Sequence, residues 1–158
     1  INVLGRVHMD PMDDPFSAVE RELEAAPLGV VADAVIVDMH AEATSEKMGM
    51  GHFCDGRASL VVGTHTHVPT ADAQILPHGT AYQTDAGGCC DYDSVIGNDK
   101  EEPLRRFTTR LSGGRYTPAS GPATICGVFV ETDDRTGLAT RVEPIRVGGR
   151  LSQAIPQV

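Results

Sequence analysis

Two apolar runs in this chain each lead into histidine, and that recurrence narrows the folds open to it. Leu60-Val61-Val62 breaks at Gly63 and continues Thr64-His65-Thr66-His67, so two imidazoles stand at i and i+2 beyond a strand's exit. Earlier, Val30 to Val37 is apolar apart from Asp33 and runs into Asp38-Met39-His40. Runs so continuously apolar suit strands buried on both faces, as in parallel sheets covered by helices. In such α/β proteins ligands collect beyond the carboxyl ends of the strands. Imidazole is the commonest side-chain metal ligand near neutral pH, so three of them at two strand ends make a candidate metal site, for one ion or for two.

Composition removes several classes. A chain of 158 residues is the size of one domain, 1–158, able to bury roughly two thirds of its unfolded surface without disulfide or metal staples. With 41% hydrophobic residues, 17 Gly and 10 Pro it reads as a turn-rich globular α/β or α+β protein, not a disordered one. The net charge of −9 argues against a nucleic acid polymer as partner, because a phosphate backbone is held by clustered Lys and Arg. Any nucleotide handled is small. No apolar run nears the roughly 20 residues that span a bilayer, and no signal peptide is visible. Cys54, Cys89, Cys90 and Cys126 lack CxxC spacing, so a reduced, soluble, cytoplasmic chain is expected, with these residues as small fillers. A thiolate metal site of Cys54, Cys89 and Cys90 is the weaker alternative.

The elements follow from local signals. Ile1 to Val7 reads as a strand. Asp14 as N-cap with Pro15 at the first helical position starts a helix whose Phe16, Val19 and Leu23 share a face. Pro27-Leu28-Gly29 stops it before a strand over Val30 to Val37. A second helix is expected over Thr44 to Phe53, capped by Thr44 or Ser45, then a turn at Asp55-Gly56-Arg57 and a strand over Ser59 to Val62. Two β-α-β units result. Further strands are expected at Thr80 to Thr84, Thr124 to Glu131 and Leu138 to Val147, the last two forming a hairpin about Asp133 to Gly137. Lys100 to Leu111 reads as a helix with Leu104, Phe107 and Leu111 at helical spacing and Pro103 in its first turn.

Acids and hydroxyls surround the histidines. Asp38 reads as a ligand or as a carboxylate that orients one, and Glu42 as a ligand, a helix-capping acid or a general base. Thr84 to Gly97 is rich in Gly and Asp and reads as a loop walling the pocket; its three nearby Asp favour a plain turn over a phosphate cradle at Gly87-Gly88. Lys47 and Arg57 read as surface cations, or as groups facing an anionic substrate.

Asp38-Met39-His40-Ala41-Glu42-Ala43-Thr44-Ser45-Glu46-Lys47, Asp55-Gly56-Arg57, Val61-Val62-Gly63-Thr64-His65-Thr66-His67-Val68, Gly79-Thr80-Ala81-Tyr82 and Tyr92-Asp93-Ser94-Val95-Ile96-Gly97 together resemble the YmdB-type bacterial metallophosphoesterases over nearly the whole chain. That resemblance implies an α/β/β/α sandwich and a two-metal phosphodiesterase acting on cyclic nucleotides, 2',3'-cyclic nucleotides above all, through a metal-activated hydroxide. It implies His40, His65 and His67 as metal ligands, with two divalent ions, Fe or Mn and alternatively Zn. The family's amino-terminal Asp, Gly-Glu-Asn and Gly-Asn-His motifs, including its general-acid His, do not occur here. The chain thus corresponds to roughly the carboxyl-terminal three fifths of such an enzyme, holding half of a dinuclear site and lacking the amino-terminal strands. Gly88-Cys89-Cys90 and Asn98 also depart from the family's usual loop.

Three readings result. The first is the phosphodiesterase, with little activity expected of this chain alone. The second is a catalytically silent metal- or nucleotide-binding regulatory module. The third is a single-zinc hydrolase using the three histidines with Glu42 as base. An uncovered sheet edge would favour aggregation or association, leaving a homo-oligomer open.

Overall fold

A computed structural model describes residues 1–10 and 12–157. Its elements are β1 (Asn2–Leu4), α1 (Pro15–Ala25), β2 (Ile36–His40), α2 (Thr44–Cys54), β3 (Leu60–Thr64), β4 (Gln74–Ile75), β5 (Ala81–Gln83), β6 (Cys90–Asp91), α3 (Glu101–Thr109), β7 (Ala123–Thr132) and β8 (Ala139–Gly148). One sheet has the order β1-β2-β3-β5-β4, parallel except for β4, and the other is the antiparallel β6-β7-β8. The expected α/β architecture is present, with α/β/β layering.

The two faces of the parallel sheet explain the layering. On β3, Val61 turns to a core shared with Val37 and Met39 of β2, Val19 and Leu23 of α1, and Met50 and Cys54 of α2. Leu60, from the opposite face, packs with Ala81 and Ala139, joined by Val62, Val128, Val130 and Val142. Strand alternation therefore places helices on one face and the β7–β8 hairpin on the other. The hairpin contacts β4 and β5. On the β1–β2 side of that face Leu4 and Ile36 remain exposed, so the ends of β2 and β3 open onto a partly uncovered face.

Local chemistry accounts for the boundaries. Asp14 caps α1 as expected, accepting from the Phe16 N–H, with Pro15 at its start. The first strand is shorter than expected because Gly5 N–H bonds the His40 carbonyl and the Glu46 carboxylate takes the N–H groups of Arg6 and Val7. Glu46 is thus engaged, and α2 begins at an Ala43 N-cap with no side-chain cap, not at a Thr44 or Ser45 cap. The expected strand over Val30 to Val37 is corrected to Ile36–His40. Gly29, at φ 72°, turns the chain so that the Val30 and Val31 N–H groups bond the Pro27 carbonyl, leaving those valines 82% and 66% exposed. The β7–β8 hairpin forms as expected, its turn held by Asp133 Oδ1 accepting from the N–H groups of Arg135 and Thr136. The helix expected over Lys100 to Leu111 is α3, Glu101–Thr109, closed by Arg110 at φ 61°; Pro103 sits in its first turn, while Leu104 and Phe107 on it and Leu111 beyond its end face solvent. No helix among the described residues is long and apolar enough to cross a membrane.

Candidate metal centre

His40 closes β2 and Thr64 closes β3, and the parallel register sets them side by side. His65 follows, and its ring meets that of His40 edge to face with centroids 5.0 Å apart. His65 Nδ1 lies 3.2 Å from His40 Nε2, and His65 Nε2 lies 2.7 Å from Glu42 Oε2. Two nitrogens bound to one Zn ion at about 2.0–2.1 Å stand about 2.9–3.4 Å apart for angles between square and tetrahedral, so this separation suits two ligands of one ion. Imidazole nitrogens are a donor type that Zn, Fe and Mn accept.

His67 occupies a different position. Its side chain is exposed, while its backbone carbonyl accepts from Gly88 N–H and from the Tyr92 hydroxyl. Among the described residues no three His, Cys, Asp or Glu side chains close around one ion. The sequence-derived trio therefore divides into a juxtaposed pair, His40 and His65, and a neighbour on the same loop. Asp38 sits behind the pair: its Oδ1 accepts from the Thr64 hydroxyl at 2.8 Å and its Oδ2 from Asn2 Nδ2 at 2.6 Å.

The His65-Thr66-His67 loop is held in a costly shape. His65 and His67 have φ of 119° and 64°, a region that costs non-glycine residues about 1–3 kcal/mol each. Asp85 holds it there. One of its oxygens accepts from Thr66 N–H and from Lys47 Nζ, both at 2.9 Å, and the other from Gly87 N–H. Burial pushes the Asp85 carboxyl up, but the Lys47 hydrogen bond and those from the Thr66 and Gly87 amides outweigh it and keep the group below its ordinary range.

Lys47 is therefore not a surface cation; it is buried on α2, bonded to Asp85 across 38 positions of sequence. Sequence reasoning missed their pairing, and the available signal was the Asp85-Ala86-Gly87 turn close after a strand. Arg57 is engaged as well, with its Nη1 donating to Glu20 Oε2 at 2.8 Å and its Nη2 to the Phe53 carbonyl, which ties the end of α2 to α1. Gly87 and Gly88 form the turn that abuts the histidine loop, so the Thr84 to Gly97 stretch does wall it, with β6 as a short strand inside. Cys54 donates to Met50 Sδ in the helix-side core, Cys89 donates to the Cys126 carbonyl, and all four thiols are free. Cys54 and Cys126 are the buried fillers expected, whereas Cys89 is exposed.

Two stacked sheets with helices on one face form a metallophosphoesterase-like α/β fold. The sequence model of the family described as "YmdB-like protein" matches residues 1–145, and the chain belongs to that family. It is 49% identical over 93% of its length to a 2',3'-cyclic-nucleotide 2'-phosphodiesterase of Bacillus subtilis, covering 54% of that protein. A putative phosphatase/phosphodiesterase of Mycoplasma pneumoniae is 42% identical over 73% of the chain, which covers 41% of that relative. Among solved structures, a hypothetical protein from Thermus thermophilus superposes with TM-score 0.85 at 45% identity, over 94% of this chain and 56% of the other. A novel phosphatase from Mycoplasma pneumoniae gives 0.82 at 37% identity, over 93% and 52%. The chain thus spans about half the length of the relatives it matches.

Proposed function

We propose that this chain contributes the histidine half of a metal-dependent phosphodiesterase site for cyclic nucleotides, with 2',3'-cyclic nucleotides as the favoured class. The observation that carries the reading is the 3.2 Å approach of His40 Nε2 to His65 Nδ1 at the ends of two parallel strands. Family membership and the name of the Bacillus relative support the substrate class. His40 and His65 would hold one divalent ion, with His67 on the same loop as the donor nearest a second. Fe, Mn or Zn ions would, when bound, polarise phosphoryl oxygens and make water a stronger acid.

The chain's own residues do the rest. Asp85 and Lys47 fix the loop that carries His65 and His67. Glu42 is engaged with His65 Nε2, which favours an orienting role for it over that of a free general base in a single-zinc hydrolase. A soluble cytoplasmic enzyme follows from the same reading.

A second reading, a silent metal- or nucleotide-binding regulatory module, draws on the lack of any closed three-donor group among the described residues. Assaying 2',3'-cyclic AMP hydrolysis with added Mn separates the two. Turnover in a protein that includes this chain, abolished by His65→Ala, supports the enzyme. Mn binding without turnover in any such protein supports the module.

A further inference from the structure

The proton count around His40 carries an inference that rests on the reading of His40 as a metal ligand and goes beyond it. Thr64 Oγ1 lies 3.0 Å from His40 Nδ1 and 2.8 Å from Asp38 Oδ1. A hydroxyl has one proton to give, and a carboxylate only accepts. Asp38 takes that proton on Oδ1, while its Oδ2 is occupied by the Asn2 amide at 2.6 Å. Thr64 Oγ1 then accepts from His40 Nδ1–H, and by the same count Glu42 Oε2 accepts from His65 Nε2–H, so the bare His40 Nε2 and His65 Nδ1 face each other across 3.2 Å with no proton between them, an arrangement that a shared cation stabilises.

The geometry points to Asp38 and Thr64 as positioning residues that hold His40 in its Nδ1–H tautomer and so keep Nε2 available as a metal donor. The sheet builds this relay from register. Asp38 and His40 lie two residues apart on one face of β2, about 6.6 Å along the strand, too far for a direct bond. Thr64, level with His40 on β3, closes that gap, and Asn2, level with Asp38 on β1, holds the far oxygen. Three adjacent strands thus feed one nitrogen.

Asp38→Asn tests the relay without changing its shape. Asn2 continues to donate to the amide oxygen, so the amide NH2 faces Thr64. The hydroxyl accepts from it and turns its own proton toward His40 Nδ1. The imidazole proton then sits on Nε2, where it blocks the metal.

The experiment records long-range 1H–15N imidazole spectra of the 15N-labelled chain, with the His40 signals identified by their loss in His40→Gln. Zn2+ affinity is measured beside it by competition with a chromophoric chelator. The expected wild-type spectrum is that of the Nδ1–H tautomer. Asp38→Asn is expected to give the Nε2–H tautomer and roughly 10- to 100-fold weaker Zn2+ binding. Thr64→Val should lose the tautomer preference and Thr64→Ser should retain it, a rescue that a purely structural role does not produce. An Nε2–H wild-type His40, or an Asp38→Asn spectrum identical to wild type, overturns the relay even where Zn2+ binding depends on His40. Zn2+ affinity indifferent to His40→Gln instead overturns the ligand assignment beneath it.

Discussion

Lys47 Nζ stands 2.9 Å from Asp85 Oδ2 with each side chain 1% exposed, and the same carboxylate oxygen holds the Thr66 N–H between two histidines. This ion pair joins α2 to the loop that presents His65. Removing one member strands the other as a buried charge, which costs about 3–5 kcal/mol. Lys47→Met is expected to destabilise by that amount in chemical denaturation. Lys47→Met with Asp85→Asn should cost less than the sum of the single changes, because no bare charge remains. Additive losses would show that the pair is not coupled.

Gly63→Ala should damage the same region through space instead of charge. A Cβ there would meet the Thr84 carbonyl oxygen and lie 2.7 Å from Lys47 Cδ. Backbone cannot yield as a flexible side chain does, so the cost is expected at the upper end of the roughly 1–3 kcal/mol typical of overpacking. A thermal midpoint within a degree of wild type would refute the close approach of β3 to the chain after β5.

The acid response of the α3 region follows from Glu102. Its hydrogen bond from Arg106, helped by the Gly113 amide, lowers its pKa to about 2 from an ordinary 4.5. A depressed carboxyl contributes stability that is fully present above its unfolded pKa and is lost as pH falls through the folded one. The Gly113 and Gly114 amide resonances are therefore expected to stay put down to about pH 4 and to shift only on approach to pH 2. Glu102→Gln should give the released-loop spectrum at neutral pH. Movement of those resonances centred near pH 4.5 would contradict the pairing.

Phe107, 77% exposed on α3, should tolerate change. Phe107→Asp is expected within about 0.5 kcal/mol of wild type in denaturant unfolding, as for surface positions generally. A loss of several kcal/mol would place this face in a core.

Much of the fold was legible because its signals are local. Asp14-Pro15 marks a helix start through a cap and a fixed φ, and the Asp133 to Gly137 turn binds its own amides, so both appear where the sequence puts them. Val30 and Val31 misled because apolar composition carries no record of the Gly29 turn that exposes them. The stripe Leu104, Phe107, Leu111 has the right period but no partner surface within the described residues. The juxtaposition of His40 and His65 was legible from their strand-end positions. Lys47 was not, since a lysine is ordinarily solvated and its partner Asp85 is brought to it only by the packing of α2 on β3.

That His40 and His65 share a divalent ion is tested most directly by elemental analysis of the purified chain after loading with Mn or Fe, beside His40→Ala and His65→Ala. At least one ion per chain, lost in both variants, is the predicted result. Uptake that is absent in the wild type, or equal in the wild type and both variants, would contradict it.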